Sequence, residues 1–322
     1  MEKIVQTVII SGIRGQDGSY LADHILSKNY KVIGLTRDPG LLFTENIEHL
    51  KDKVELCYTS YDYHSLTQII RKYKPTVIYN LCGQPYVLKS WSMIDETIVG
   101  SGMIPCHFLQ AISEIDKNIK FFQASSSEIF EPDDGSGLDE ASVIKPRTPY
   151  GCAKALAHNM VISFRENYGI FAVNGILFNH ESPRRRENFL SQKIVKEAIK
   201  IKMGESKLLE LGNMHIKRDW GHASEYMEAV AMMMELKTPE DFVVSTGITY
   251  EVRDMVEIIF KHLGLDYTKY VKINQEYVRP FEPVVCRGIS KKAESVLKWK
   301  AKVSFEDMLI EMVEEELESY EK

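Results

Sequence analysis

Apolar residues alternate between two spacings along the first half of the chain. Short β-branched runs at 5–10, 31–35, 54–58, 76–81, 120–123 and 171–177 read as strands. Between them the spacing shifts to one apolar residue every three or four. This predicts helices over 19–28 (Leu21, Ile25 and Leu26 on one face), 66–73, a long stretch ending near 115, and about 152–168. Strands and helices that alternate in this way predict an α/β fold built on a doubly wound parallel sheet. After 178 the rhythm breaks. Residues 179–186 are polar and turn-like, 193–203 read as a helix, and 212–222 mix charge, aromatics and glycine. The expectation is a dinucleotide-binding domain over 1–178, rejoined by 224–250, with 179–322 mostly a smaller C-terminal substrate-binding lobe. In the tail, Met308, Leu309, Met312, Val313 and Leu317 share one helical face, and the glutamates read as solvated surface.

Composition narrows the classes of function. The 322 residues are 44% hydrophobic and 27% charged, too apolar for disorder. A balance of 40 basic to 46 acidic residues, with no long basic run, predicts no nucleic-acid partner. No apolar run reaches the roughly 18 residues that span a bilayer, so no membrane association is expected. Five cysteines, odd in number and without a CxxC pair, argue against a disulfide framework and a structural metal. A reducing, cytoplasmic setting is expected.

Candidate chemistry begins between the first strand and first helix. There stands Gly12-Ile13-Arg14-Gly15-Gln16-Asp17-Gly18, in the context a Rossmann-like dinucleotide fingerprint requires. Glycine allows a tight turn and lets backbone N–H groups approach a pyrophosphate at the positive end of the helix. The second strand ends in Leu35-Thr36-Arg37-Asp38. A basic residue here would accept the 2′-phosphate of NADP, whereas an acidic one would hold the ribose of NAD. Arg37 favours NADP, and Asp38 leaves NAD open.

Tyr150 and Lys154 form a YxxxK at the start of a predicted helix, four apart and therefore on one face. An adjacent ammonium favours loss of a phenol proton, so Tyr150 can take a hydroxyl proton as a hydride leaves the same carbon. The strand over 120–123 runs into Gln123-Ala124-Ser125-Ser126-Ser127-Glu128, at a strand end where open α/β sheets bind ligands. Ser126 can hydrogen-bond the reacting oxygen. Glu128 can remove the acidic proton beside a newly formed ketone, which turns an oxidation into an elimination. Each pattern also has a plain structural reading: a turn with spare glycines, a surface arginine, a self-capping serine loop. Their coincidence in one chain favours chemistry.

With these residues in hand, the chain resembles the GDP-mannose 4,6-dehydratase family of extended short-chain dehydrogenases/reductases. The resemblance rests on 12–21 (GIRGQDGSYL), 123–128 (QASSSE), 146–154 (PRTPYGCAK), 174–185 (NGILFNHESPRR), 211–223 (LGNMHIKRDWGHA) and 277–282 (YVRPFE). It implies oxidation of the sugar at C4, loss of water across C5 and C6, and return of the hydride to C6. Tyr150, Lys154 and Ser126 would serve the first step and Glu128 the second. It further implies that Leu81, Gly83, His180 and Arg185 line the cofactor. Asn179, Arg218, Arg279 and Glu282 would hold a GDP-sugar. A homodimer is implied, and in the family a homotetramer built through a loop after the second strand.

Departures from the family bear on the details. Asp38 replaces an arginine, Pro39-Gly40-Leu41-Leu42-Phe43 replaces the tetramer loop, and Ser60 replaces an acidic residue, with Asp62 nearby. Glu96 replaces an aromatic. Pro85-Tyr86 stands where the family has Ser-His near the sugar, which keeps GDP-N-acetylglucosamine open as an alternative substrate. An epimerase or reductase of the same fold would not need Glu128. A dTDP-glucose dehydratase would carry aspartate at 127, here Ser127. A non-catalytic dinucleotide-binding protein would not need the complete Tyr–Lys–Glu set.

Overall fold

Residues 6–277 and 283–320 are described by the computed structural model. The apolar runs of the first half form β1 (Thr7–Ser11), β2 (Lys31–Thr36), β3 (Val54–Tyr58), β4 (Val77–Asn80), β5 (Lys120–Ser126) and β6 (Ala172–Leu177). The second half adds β7 (Asn179–Glu181), β8 (Leu209–Leu211), β9 (Lys217–His222), β10 (Phe242–Val244), β11 (Thr249–Glu251), β12 (Val271–Ile273) and β13 (Val285–Cys286). The helices are α1 (Gln16–Ser27), α2 (Tyr63–Tyr73), α3 (Ile94–Thr97), α4 (Ile104–Ile115) and α5 (Pro149–Tyr168). They continue with α6 (Leu190–Lys202), α7 (Ala223–Met233), α8 (Val252–His262) and α9 (Phe305–Tyr320).

Seven strands lie parallel in the order β10-β6-β5-β4-β1-β2-β3. Connections run in opposite directions on the two sides of β1, which opens a crevice at the carboxyl ends of β1 and β4. Alternate residues face opposite sides. Val8 and Ile10 therefore pack with Leu21 and Ile25 of α1 and with Met227 and Val230 of α7. Ile9, Ile78 and Phe121 pack with Leu66 of α2, Phe108 of α4 and Val161 of α5. Helices on both faces explain why these strands read as continuous apolar runs.

The remaining strands build the lobe around β9, which pairs with β7, β11 and β13; β8 pairs with β12. Ile194 of α6, Val256 and Ile259 of α8, and Met308 and Met312 of α9 make its core. The stretch 179–186, expected as turns, contains β7, whose Asn179, His180 and Glu181 register with Trp220, Gly221 and His222. Three residues are too few to show an alternation. The chain also returns to the main sheet twice: β10 extends it beyond β6, and Ala293, Leu297 and Trp299 join the core beneath α7.

Two local devices fix the start of α5, the helix carrying Tyr150. Thr148 caps it by accepting from the Gly151 N–H at 3.0 Å, and Pro149 follows at the first helical position. Gly151 is required by contact: a Cβ there would lie 2.4 Å from the carbonyl oxygen of Glu128. Among the described residues no helix is long and apolar enough to cross a membrane.

Candidate active site

The carboxyl ends of the central strands open onto a cavity of about 490 Å³ between the sheet and the lobe. Ser126 and Glu128 from the end of β5 line it, with Tyr150 and Lys154 from α5. Asp17, Leu81, Gly83, Asn179, His180, Arg185 and Arg218 line it as well. The cavity thus gathers residues that lie up to two hundred positions apart. Arg279 and Glu282 lie outside the described residues.

The glycine turn sits beside this cavity. Gly12 has φ +74°, and a Cβ there would lie 3.0 Å from the backbone of Leu81 and Cys82. Gly15 stands at the N-cap of α1 with no side chain capping the helix, which leaves first-turn N–H groups for an anion. Those two facts fit a dinucleotide pyrophosphate. Gly18 packs against the Gly12 backbone, and Ile13 is buried in the core, so only the backbone of Ile13 serves the turn. Gln16 donates to the His180 carbonyl at 3.1 Å and accepts from Ser182 at 2.9 Å, joining turn and lobe.

At the end of β2, Arg14 pairs with Asp38 at 2.9 Å, and Asp38 also accepts from the N–H of Gly40 at 2.9 Å and of Leu42 at 3.4 Å. The Gly40 N–H leads in holding this carboxyl below its ordinary value, with Arg14 adding to it. Arg37 lies over the Tyr61 ring, 5.4 Å from its centroid. Asp62 caps α2 through the Ser65 N–H at 2.9 Å, so it serves the helix.

Around the reacting end, Lys154 donates to the Ala124 carbonyl at 2.8 Å and lies 5.7 Å from the Tyr150 ring centroid. Ser126 accepts from the Glu128 N–H at 3.2 Å, so the serine run caps itself as well as facing the cavity. The Thr148 hydroxyl lies 3.5 Å from the Glu128 carboxylate. His180 pairs with Asp17 at 3.0 Å and accepts a stacked Tyr226 ring at 4.9 Å. Burial opposes charge on both, yet each partner more than offsets it: His180 lies above its ordinary value and Asp17 well below. Arg185 pairs with Glu181 at 3.0 Å. Arg218 donates to the carbonyls of Lys217 and Pro283, both at 2.9 Å.

Several lining residues gave no sequence signal. Lys193 reaches the lobe side, over the Tyr277 ring at 4.3 Å. Cys286 lies among Ser127, Glu128 and Arg218, and burial pushes its thiol up to about 12. Phe189 stacks on Tyr86, with centroids 4.9 Å apart, and Arg185 lies over the Phe189 ring at 3.5 Å. None belongs to a local motif, and each is placed only by the folded lobe.

A glycine turn beside a cleft that gathers a Tyr–Lys pair and a carboxylate is the arrangement of an extended short-chain dehydrogenase/reductase. Solved structures share the fold. A dTDP-glucose 4,6-dehydratase of Streptomyces venezuelae, solved with NAD, superposes with TM-score 0.88 at 18% identity over 98% of each chain. A UDP-glucose 4-epimerase of Thermotoga maritima gives 0.87 at 20% identity, over 98% of this chain and 100% of its own. Sequence then separates the branches. The family model described as GDP-mannose 4,6 dehydratase matches residues 9–312, and the chain belongs to that family. It is 39% identical to a GDP-mannose 4,6 dehydratase of Drosophila melanogaster, over 98% of this chain and 87% of the relative. It is 38% identical to the human enzyme of that name, over 99% and 93%, and 35% identical to that of Vibrio cholerae, over 96% and 93%.

Proposed function

We propose that this chain is an NADP-dependent GDP-mannose 4,6-dehydratase in which Tyr150 and Glu128 divide the proton transfers. The carrying observation is that the Glu128 backbone packs closely on the start of α5, which presents Tyr150, at Gly151, and that both side chains line one cavity. The base for oxidation and the base for elimination would therefore share one corner of that cavity. Tyr150 would take the proton of the 4-hydroxyl, Lys154 holding positive charge beside it and Ser126 hydrogen-bonding the same oxygen. Glu128 would take the C5 proton, acidic beside the 4-ketone, and hand it to the C6 hydroxyl, which leaves as water. As the hydride comes back to C6, C5 would take a proton from solvent by way of Glu128, and Tyr150 would release to solvent the proton it took from the 4-hydroxyl. A bound nicotinamide supplies the hydride acceptor for C4 and the donor for C6. Asn179 and Arg218, with Arg279 and Glu282, would hold the GDP moiety, since forked arginines match a pyrophosphate.

Support for NADP comes from the end of β2. Asp38 is engaged by two backbone N–H groups and Arg14, while Arg37 lies over the Tyr61 ring and, among the described residues, makes no ion pair with a carboxylate. Tyr86, stacked on Phe189, lines the same cavity as Ser126 where the family has Ser-His, which keeps GDP-N-acetylglucosamine as the second reading. All five cysteines are free, in keeping with a cytoplasmic setting.

The test is rapid mixing with GDP-sugars in heavy water. Tyr150→Phe should nearly stop the appearance of reduced nicotinamide, by about 10²–10⁴-fold. Glu128→Gln should still oxidise C4, accumulate reduced nicotinamide and a 4-keto hexose, and retain the water. Full turnover by Glu128→Gln, with deuterium at C5, would remove Glu128 from the chemistry. Mass spectrometry for loss of one water from GDP-mannose against GDP-N-acetylglucosamine decides the sugar.

A further inference from the structure

A row of polar side chains crosses the buried sheet beneath the cavity floor. Ser11 and Asn80 close β1 and β4 and stand in register with Gln123 in the middle of β5, Ser11 opposite Asn80 and Asn80 opposite Gln123. The Ser11 hydroxyl accepts from the N–H groups of Leu81 at 3.2 Å and Cys82 at 3.3 Å, and donates to Asn80 Oδ1 at 2.6 Å. Asn80 Nδ2 donates to Gln123 Oε1 at 2.7 Å. Gln123 Nε2 donates to the Ala124 carbonyl at 2.8 Å, and that carbonyl also receives the Lys154 ammonium at 2.8 Å. Ser11 and Asn80 are wholly buried, Gln123 is 1% exposed and Lys154 6%.

A row of this kind is costly where valine or leucine would pack equally well, because each buried polar atom must find a partner. Here the bonds run head to tail as far as the Ala124 carbonyl, each strengthening the next, and that carbonyl takes the Gln123 amide on one side and the Lys154 ammonium on the other. The far end of the row grips the Leu81–Cys82 backbone, the same backbone against which Gly12 of the cofactor turn is packed. One hydrogen-bonded row therefore ties the cofactor turn to the ammonium beside Tyr150.

We propose that the Ser11–Asn80–Gln123 row is a positioning element for proton transfer. The Gln123 amide occupies one lone pair of the Ala124 carbonyl and holds the Lys154 ammonium on the other, in reach of Tyr150. The proposal rests on the reading of Tyr150 and Lys154 as the base pair. The titratable groups facing that ammonium are Tyr150 on its own helix and Cys82 after β4, whose thiol burial keeps protonated. One turn further along α5, His158 contacts Ser125 at 3.1 Å, and burial favours its neutral form.

Gln123→Met removes the terminal amide at similar length. The double variant Asn80→Leu/Gln123→Met leaves no orphaned amide and guards against misfolding. Two readouts are needed. In cofactor-free protein carrying ring-labelled tyrosine, NMR follows the Tyr150 titration, its signal assigned by loss in Tyr150→Phe. In holoenzyme, single-turnover oxidation of GDP-mannose is measured against pH. Both midpoints should move about one pH unit alkaline, with an about tenfold slower rate at neutral pH that recovers in base. GDP affinity should stay as in the parent protein. Unmoved midpoints in a folded variant, or a rate lowered equally at every pH, overturn the proposal. Lys154→Met is the control: if it leaves the Tyr150 titration and the rate intact, the base-pair reading fails instead.

Discussion

Arg37 and Asp38 are adjacent in sequence and have opposite charges, yet the fold gives them different work. The Asp38 carboxylate closes its own turn and holds Arg14 at 2.9 Å, so it is already used. Arg37 reaches instead across the end of β2 to the face of Tyr61. An NADP 2′-phosphate would meet a guanidinium braced from below by a ring. Arg37→Ala should therefore weaken NADP at least about tenfold while changing NAD little, the loss of one charge-assisted contact. Titration calorimetry with both cofactors checks this, and equal losses for the two would show that Arg37 does not read the phosphate. Site residues of this kind were legible where the chemistry is local, as in the glycine turn or in Tyr150 and Lys154 four apart on one helix. Lys193, Phe189 and Cys286 were not, because their neighbours in the cavity come from distant strands.

Elements were legible to the extent that burial imposed a period on them. Strands covered on both faces stand out as apolar runs, and helices covered on one face as stripes. β7 carries Asn179, His180 and Glu181, whose backbones are satisfied by β9 while their side chains serve the cavity and its rim, so no period survives. The joint between α5 and β10 was equally hidden, since it depends on residues 76 positions apart. Arg165 of α5 forks onto Asp241, just before β10, at 2.7 and 2.9 Å, and Asp241 also accepts from the Asn174 N–H at 2.7 Å. Burial works to raise this carboxyl, and Arg165 more than offsets it, so the folded value lies below the ordinary one. A depressed carboxyl stabilises the fold above its unfolded pKa, near 3.9, and that contribution fades as pH falls through the folded value. Asp241→Asn should cost about 3 kcal/mol at pH 7 by taking away the carboxylate that neutralises Arg165. The difference from the parent should shrink at pH 3 in urea melts. An equal difference at both pH values would mean that shape, and not charge, makes the joint.

At the scale of the whole molecule, the helix that presents the catalytic pair also has an outer face. Cys152 and Leu156, four apart, are exposed on α5 opposite Lys154, which is buried. Beside them, the wide turn at Ile98–Met103 leaves Val99 at 50% exposed and Met103 at 37%, with Trp91 at 55% and Ile94 at 51% just before it. Gly102 brings this segment close to α5, where its missing Cβ would lie 3.1 Å from Leu156 and 3.3 Å from the Ala153 carbonyl. Two neighbouring segments thus expose several large apolar side chains near one another. Packed against its own copy across a two-fold axis, such a face makes a four-helix contact. About 800 Å² per partner is the usual size of a stable interface. We propose a homodimer built on it. Light scattering of the parent protein should return twice 37.0 kDa at micromolar concentration. Val99→Asp/Leu156→Asp places like charges on both sides of the axis and should return a monomer with unchanged far-ultraviolet circular dichroism. A parent protein that is already monomeric removes the interface. A double variant that stays dimeric moves it to another face. Because α5 holds Tyr150 through one edge and this contact through the other, monomerisation should lower the rate of oxidation at C4 more than GDP affinity.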